Sequence, residues 1–314
     1  MNLLAVGETL AALIAAERGP LEAAASFRKA IAGSESNLAT GLARLGHAVA
    51  WTSRLGDDPF GRLISRTLRG EGVDLRYLEF DPERPTGLMV REIRSPQDVR
   101  VHYYRKGSAA SCLGELPLRA LRETRPQWLF LSGITPALSP ENASLSRRLC
   151  AEAKELGVSL AFDPNLRRKL WPLDLAAPVL RELAGWADLV LVGLDEGRQL
   201  LGEGSALELG ERFLELGAGE VVLKDGARGA TALTAAGSWS LAAFPVEAQD
   251  TIGAGDAFDA GYLSARLDGL PIPAGLERGC ALGALAVSVV GDWEGLPSRR
   301  ELQAFLEGHL EAGR

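Results

Sequence analysis

Short apolar runs alternate with amphipathic stretches along most of the chain, and the spacing within each segment predicts its secondary structure. Leu38, Leu42 and Leu45 lie on one helical face. The uniformly apolar runs predict strands at Leu3–Val6, Val49–Ser53, Trp128–Ser132, Val158–Asp163, Leu189–Val192 and Val221–Lys224. This alternation is typical of an α/β protein whose mostly parallel sheet is covered by helices on both faces. Ligands of such sheets bind beyond the carboxyl ends of the strands.

Two segments, Leu10–Ile31 and Pro85–Lys106, lack a clean helical repeat. The second reads as two strands around Ser95-Pro96-Gln97-Asp98. We therefore predict one α/β domain over residues 1–314, with a small discontinuous β lid formed by about residues 10–31 and 85–106. A hairpin that projects from such a core serves as a lid or as a dimer surface. After Gly253 the pattern is mainly helical.

Composition and charge narrow the class of protein. Of the 314 residues, 46% are hydrophobic and 24% are charged, which are ordinary globular values. The net charge of −7 argues against a nucleic-acid partner. The longest uncharged apolar run, Ala281–Val290, is too short to span a bilayer, and the first residues lack a signal peptide's basic region. We expect a cytoplasmic protein with neither a membrane nor a nucleic-acid partner.

The stretch from Gln249 to Leu267, QDTIGAGDAFDAGYLSARL, carries the clearest chemistry. Gly253, Ala254 and Gly255 precede a helical run, so their backbone amides can converge on an anion at the helix start. Asp256 would stand beside such an anion, ready to take a proton from a hydroxyl that attacks a phosphoryl group. A lone aspartate there could simply be a first-turn acid favoured by the helix dipole. The three residues before it favour the catalytic interpretation.

A second glycine cluster, Lys224–Gly229, follows a predicted strand. Such a turn lets the backbone approach a nucleotide, although alone it could equally be a hairpin loop. Other phosphate-binding motifs are absent from the sequence, since no Gly-Lys dipeptide of a Walker A loop occurs and no GxGxxG follows the first strand.

These motifs resemble those of the ribokinase-like (PfkB) carbohydrate kinase family. The second family signature is similar to Asp250-Thr251-Ile252-Gly253-Ala254-Gly255-Asp256-Ala257-Phe258, and the first to Ala32–Gly46 followed by Leu55–Gly61. The resemblance implies a three-layer ribokinase-like fold and phosphoryl transfer from ATP with Mg²⁺. It also implies that Asp256 is the catalytic base, with Gly253, Ala254 and Gly255 forming the anion hole.

Three other stretches, Tyr103–Ala109, Leu131–Leu138 and Asp163–Arg167, resemble the 2-keto-3-deoxygluconate kinases within that family. Arginine binds a sugar-acid carboxylate through two parallel charged hydrogen bonds. Arg105 and Arg167 are the candidates for this contact. Arg105 could instead be a solvated hairpin residue, and Arg167 a phosphate contact.

The resemblance also implies a set of binding residues. The sugar would contact Gly33, Asn37, Met89, Tyr103, Arg105, Ile134, Arg167, Asp256 and Asp292. The nucleotide would contact Asn165, Arg167, Lys224, Gly226, Gly229, Gly253 and Gly255. A metal would be reached through water by Glu196.

The sequence departs from the family at three places. Leu194-Asp195-Glu196-Gly197 stands where the family has Asn-x-x-Glu, so that Glu196 or Asp195 takes the metal role or the metal site is rearranged. Met89 replaces an aromatic contact of the subgroup. Ala32-Gly33 replaces the usual paired glycines.

We therefore expect ATP-dependent phosphorylation of the terminal hydroxyl of 2-keto-3-deoxygluconate, by a homo-oligomer that pairs through the lid. A fructokinase or ribokinase-type neutral sugar kinase is the nearest alternative. A catalytically silent sugar-binding regulatory protein is another, suggested by the departure at Leu194–Gly197. A dinucleotide-dependent oxidoreductase is disfavoured by the missing glycine fingerprint.

Overall fold

The computed structural model describes residues 1–95 and 98–312, so Pro96 and Gln97 of the predicted turn lie outside the described residues. The strands are β1 Leu3–Val6, β2 Leu10–Ala15, β3 Phe27–Ala32, β4 Val49–Gly56, β5 Leu78–Asp81, β6 Leu88–Ser95, β7 Asp98–Tyr104, β8 Trp128–Ser132, β9 Ser159–Asp163, β10 Leu189–Gly193, β11 Glu220–Lys224, β12 Ala230–Thr234 and β13 Gly237–Leu241. The α-helices are α1 Ser34–Arg44, α2 Pro59–Gly70, α3 Leu116–Thr124, α4 Ile134–Ala137, α5 Pro140–Leu156, α6 Leu173–Ala184, α7 Leu194–Leu201, α8 Ala206–Glu215, α9 Ala254–Leu267, α10 Ile272–Val287 and α11 Arg299–Ala312.

Nine of the described strands form the main sheet, in the order β13-β12-β11-β10-β9-β8-β1-β4-β5. Neighbouring strands from β11 to β5 along this order run parallel. The hairpin of β12 and β13 adds two antiparallel strands at one edge. The predicted mostly parallel sheet is therefore confirmed.

Alternate residues of β1 point to opposite faces of the sheet, and each face is covered by helices. Leu3 and Ala5 join the apolar cluster packed by α1, α2, α9, α10 and α11. Leu4 and Val6 join the cluster packed by α3 and α5 through α8. Strands that are buried on both faces must be apolar throughout, which explains why the sequence shows them as continuous runs. The expected three-layer α/β fold is confirmed.

The two segments without helical repeats supply a second sheet, in the order β3-β2-β6-β7. We call it the small sheet. Strand β2 pairs antiparallel with β3 and parallel with β6, and β6 pairs antiparallel with β7. Met89 of β6 is buried with Leu10, Ala12 and Ala32 in a separate apolar cluster. The small sheet thus has a small apolar cluster of its own, while Ile31 of β3 joins one of the two clusters of the main sheet.

The prediction of a mainly helical end is also confirmed, since α9, α10 and α11 follow Gly253. Among the residues that the structure describes, no helix has the length and apolar character needed to cross a membrane.

Candidate active site

A cavity of about 790 Å³ lies at the carboxyl ends of β9, β10 and β11, beside the start of α9. Asp163, Gly193 and Lys224, the last residues of these three strands, line it. This is where a parallel sheet is expected to bind its ligand.

The start of α9 forms one wall of the cavity, and its shape requires glycine at position 253. Gly253 is the N-cap residue and has a φ of +77°, which is left-handed backbone. A Cβ atom at this position would lie 1.9 Å from the carbonyl oxygen of Asp292. The first amides of a helix have no partner within the helix. Because Gly253, Ala254, Gly255 and Asp256 all line the cavity, these amides can bind an anion there.

Asp256 is held at the cavity wall by two side chains of α1. Ser34 Oγ donates to its Oδ1 at 2.7 Å, and Asn37 Nδ2 donates to its Oδ2 at 2.8 Å. Burial raises the pKa of Asp256, whereas these two hydrogen bonds lower it by favouring the ionised form. The carboxylate is thus fixed in orientation and can accept a proton from a bound hydroxyl. Ser34 was not among the predicted site residues.

Asn165 extends this network from the end of β9. Its Nδ2 donates to Ser34 Oγ at 2.9 Å, and its φ is +38°. A left-handed conformation is unusual for a residue other than glycine and is tolerated by asparagine. The local backbone therefore turns Asn165 back into the site, where it lines the cavity.

Lys224 lines the cavity next to the start of α9, between two carboxylates. Its Nζ donates to Asp163 Oδ2 at 3.1 Å and to Asp259 Oδ1 at 2.8 Å. Burial opposes the charge of the ammonium, but these carboxylates outweigh burial and raise the pKa of Lys224. Lys224 is therefore a permanent cation, 3.7 Å from the position of a Cβ on Gly255. Sequence reasoning missed Asp259, although it follows Asp256 by one helical turn on α9.

The lining of the cavity is partly polar and partly apolar. Gly226 and Gly229 line it in a turn with φ values of +54° and +103°. The exposed side chain of Arg167 also lines it. The apolar part of the lining is formed by Ala243, Phe244, Pro245, Val246, Ala248, Cys280, Ala284 and Val287. Charged groups and helix amides together with this apolar lining suit a ligand that has phosphates and a flat aromatic base.

Glu196, and not Asp195, reaches this cavity. Its Oε1 accepts from the Leu166 amide at 2.8 Å, and its Oε2 accepts from the Gly193 amide at 3.2 Å. The Asp195 side chain is 86% exposed and pairs with Arg198 on the surface. Burial, followed by the charge of Asp163, raises the pKa of Glu196. Across residues 1–95 and 98–312 no group of three or more His, Cys, Asp or Glu could hold a metal ion. Mg²⁺ usually combines one or two carboxylates with substrate phosphates, and the residues present fit an ion of that kind.

Of the predicted sugar contacts, Arg167 and Asp256 line this cavity and the others do not. Gly33 caps α1, where a Cβ would lie 2.6 Å from the Glu8 carbonyl oxygen. Ile134 begins α4. Asp292 packs its backbone on Gly253, and burial raises its pKa to about 7. Met89 and Tyr103 are paired across β6 and β7 of the small sheet.

Arg105 follows β7 and is buried rather than solvated, its side chain being 9% exposed. Its Nε donates to Glu8 Oε2 at 2.6 Å, and its guanidinium lies 5.7 Å from the centre of the Tyr103 ring. Glu8 was not predicted as a site residue. It lies two residues after β1, so it occupies the same edge of the main sheet as the cavity.

Glu35 is a second residue that sequence reasoning missed. It lies between Ser34 and Asn37 on α1, its side chain is fully buried, and Ser132 Oγ donates to its Oε1 at 2.5 Å. Its Oε2 has no hydrogen-bond partner among the described residues. Burial raises the pKa of Glu35 to about 7. Its position within the first family signature could have identified it as a site residue.

Comparison with known proteins agrees with this geometry. The model of a family described as pfkB family carbohydrate kinase matches residues 1–299. The chain is 39% identical to the 2-dehydro-3-deoxygluconokinase of Bacillus subtilis (strain 168), over 98% of this chain and 95% of that protein. The solved PfkB protein from Polaromonas sp. JS666 has a TM-score of 0.89 and 39% identity, over 97% of this chain and 99% of that one.

A sugar kinase from Pyrococcus horikoshii in complex with ATP has a TM-score of 0.84 and 25% identity, over 98% of this chain and 99% of that one. The family match over almost the whole sequence and the strong likeness to the two solved structures confirm the resemblance in the signature motifs. The chain belongs to the pfkB family of carbohydrate kinases.

Proposed function

We propose that this kinase transfers the terminal phosphoryl group of ATP to the terminal hydroxyl of 2-keto-3-deoxygluconate, which is the same compound as 2-dehydro-3-deoxygluconate. The observation that carries the proposal is the Asp256 carboxylate. It is fixed by Ser34 and Asn37 at the start of a helix whose free amides face a large cavity. The Bacillus subtilis relative supports the choice of sugar.

In this proposal Asp256 accepts the proton of the sugar hydroxyl as that oxygen attacks the γ-phosphorus. Phosphoryl transfer depends mainly on positioning and on neutralising charge. The amides of Gly253 through Asp256 stabilise the charge on the transferred group. Lys224 adds a fixed positive charge next to them.

ATP would occupy the 790 Å³ cavity. The turn from Gly226 to Gly229 would hold its phosphates together with Asn165 and Arg167, and the apolar lining around Phe244 would hold its base. Mg²⁺, when bound, neutralises phosphate charge, and Glu196 would hold it through water.

The sugar acid would lie between the start of α1 and the small sheet. Arg105 would bind its carboxylate, with Arg167 as a second cation at the boundary with ATP. Gly33, Asn37, Met89, Tyr103, Ile134 and Asp292 would complete the sugar site. We further propose that the small sheet is a lid, that two copies of the chain pair through it, and that the enzyme works in the cytoplasm, where ATP is abundant.

An assay that measures ADP release tests this function. Purified protein is incubated with ATP, Mg²⁺ and, in turn, 2-keto-3-deoxygluconate, gluconate, fructose and ribose. The proposal predicts the highest kcat/KM with the first of these. If calorimetry detects sugar binding but the assay detects no ADP formation, the protein is a catalytically silent sugar-binding protein.

A neutral sugar is the second candidate because one observation favours it. Met89 of the small sheet stands where the resemblance places an aromatic contact of the 2-keto-3-deoxygluconate kinases, and it packs among apolar residues. If fructose or ribose has the higher kcat/KM in the same assay, the neutral sugar is the substrate.

A further inference from the structure

Glu8 and Arg105 form a buried ion pair that joins the two sheets. Glu8 follows β1 of the main sheet, and Arg105 follows β7 at the edge of the small sheet. The two residues are 97 positions apart, and their side chains are 0% and 9% exposed. A buried guanidinium without a counter-ion is strongly unfavourable, so Glu8 allows Arg105 to be buried here.

Glu8 is itself fixed in place. Ser108 Oγ donates to its Oε1 at 2.5 Å, while Oε2 accepts from Arg105 Nε at 2.6 Å and also contacts Arg105 Nη2. Gly87 packs against the same carboxylate, since a Cβ at this position would lie 2.6 Å from Glu8 Oε1. With both oxygens engaged and a glycine against one of them, the carboxylate has one orientation.

This orientation decides which part of Arg105 is available to a ligand. A guanidinium has five N–H donors in a planar fork. Glu8 engages the edge formed by Nε and Nη2, and the Tyr103 ring lies 5.7 Å from the guanidinium carbon. Glu8 does not engage the edge formed by Nη1 and Nη2. That edge offers two parallel donors, the geometry that matches a second carboxylate.

We propose that Glu8 is a positioning residue that sets the preference of the site for sugar acids, an inference that rests on the proposed function. By ordering Arg105 before the substrate arrives, Glu8 removes the entropy cost of immobilising a long side chain during binding. A sugar acid gains from this order because it binds the free edge of Arg105. A neutral sugar has no carboxylate to bind there and gains nothing.

The test replaces Glu8 with its neutral isostere, Glu8→Gln, and compares 2-keto-3-deoxygluconate with fructose as phosphoryl acceptors. We expect KM for the sugar acid to rise about tenfold, the equivalent of about 1.4 kcal/mol, with kcat within about twofold of the unmodified enzyme. We expect kcat/KM for fructose to stay within about twofold. An equal loss with both acceptors would mean a merely structural role and would overturn the inference.

A double-mutant cycle adds a second readout. In an Arg105→Ala background, Glu8→Gln has no arginine to position, so it should raise KM for the sugar acid no further. If the two substitutions raise KM for the sugar acid independently, so that their effects multiply, Glu8 does not act by positioning Arg105. If Glu8→Gln does not fold, judged by its thermal melting curve, Ser108→Ala replaces it. That variant frees one oxygen of Glu8 and should raise KM for the sugar acid selectively, by about threefold. No selective rise in Ser108→Ala would also overturn the inference.

Failure of the inference and failure of the proposed function give different results. If the unmodified enzyme does not prefer the sugar acid, the proposed function is wrong and the inference falls with it. If the unmodified enzyme prefers the sugar acid and Glu8→Gln keeps that preference, only the inference is wrong.

Discussion

The two ends of the proposed active site are built in different ways. At the phosphoryl end, the groups lie at the starts of two helices, with Gly253–Asp256 on one and Ser34 and Asn37 on the other. At the sugar end, Arg105 depends on Glu8, a residue from the other sheet. The amide donors and the base of the first end come from one contiguous stretch that α1 holds in place, whereas the cation of the second end depends on a single ion pair between the two sheets. Substitutions at the first should lower kcat, and substitutions at the second should raise KM.

The largest expected effect is that of Asp256→Asn. The amide preserves the size of the side chain but cannot accept the proton, so kcat should fall by about 10³-fold while KM for ATP stays within about twofold. Steady-state kinetics with ADP detection measures both. A variant that keeps more than a tenth of the normal kcat would exclude Asp256 as the base.

Gly253→Ala should lower kcat by about 10²-fold, the cost of losing well-aimed backbone donors. The added Cβ would collide with the Asp292 carbonyl oxygen and would displace the start of α9. Gly269→Ala is the matched control. Gly269 is also left-handed, with a φ of +71°, but lies just past the end of α9, where a Cβ would meet nothing within 4 Å. Equal kcat values for the two variants would show that the helix start is not used in catalysis.

Arg105→Ala should raise KM for 2-keto-3-deoxygluconate by about tenfold to a hundredfold, because a charged hydrogen-bonded pair with the substrate is lost. The value of kcat should change less than KM. With fructose as acceptor the same variant should behave like the unmodified enzyme. A similar loss with both sugars would place Arg105 in a structural role and remove the distinction between the two ends.

Glu196→Gln should raise the Mg²⁺ concentration needed for half-maximal rate by about tenfold, the lower end of the loss that is typical for a residue acting on a metal indirectly. Asp195→Asn is the matched control, since that side chain lies on the surface. A Mg²⁺ titration of both variants measures this. An effect of Asp195→Asn as large as that of Glu196→Gln would reverse the assignment.

The smallest expected effect concerns the stability of the folded protein and neither kcat nor KM. Glu35 has a pKa of about 7 in the folded protein and an ordinary value of 4.5. The folded state therefore holds this proton more tightly, and the free energy of unfolding falls as the pH rises from 4.5 towards 7, by up to about 3 kcal/mol. Glu35→Gln should remove the part of this decrease in unfolding free energy that comes from Glu35. Urea unfolding at pH 5 and pH 8 measures it, and an unchanged pH dependence would contradict the burial of an ionisable Glu35.

The sequence predicted the strands whose residues are buried on both faces of the sheet. All six predicted strands occur, most within a residue or two of the predicted ends, because buried parallel strands are apolar throughout. The strands β5, β12 and β13 were missed. Strand β13, Gly237–Leu241, lies at the sheet edge and is partly exposed, so its sequence, GSWSL, is too polar and short to stand out from a loop.

The candidate site shows the same division. Asp256 and the glycines before it were predictable because one contiguous motif holds them. Glu8 was not, since its partner Arg105 lies 97 positions away and the pairing exists only once the two sheets are in place. Asp259 and Glu35 are adjacent to predicted residues, but only the three-dimensional structure shows that both carboxylates are buried against the site.

The proposed function is tested most directly by identifying the product formed from ATP and 2-keto-3-deoxygluconate by phosphorus and carbon NMR, alongside kcat/KM for the sugar acid and for fructose. We predict a phosphate ester on the terminal hydroxyl oxygen, with kcat/KM for the sugar acid at least about a hundredfold above that for fructose, the discrimination that a paired charge can supply. A phosphate on another oxygen, or a higher kcat/KM for fructose, would contradict it.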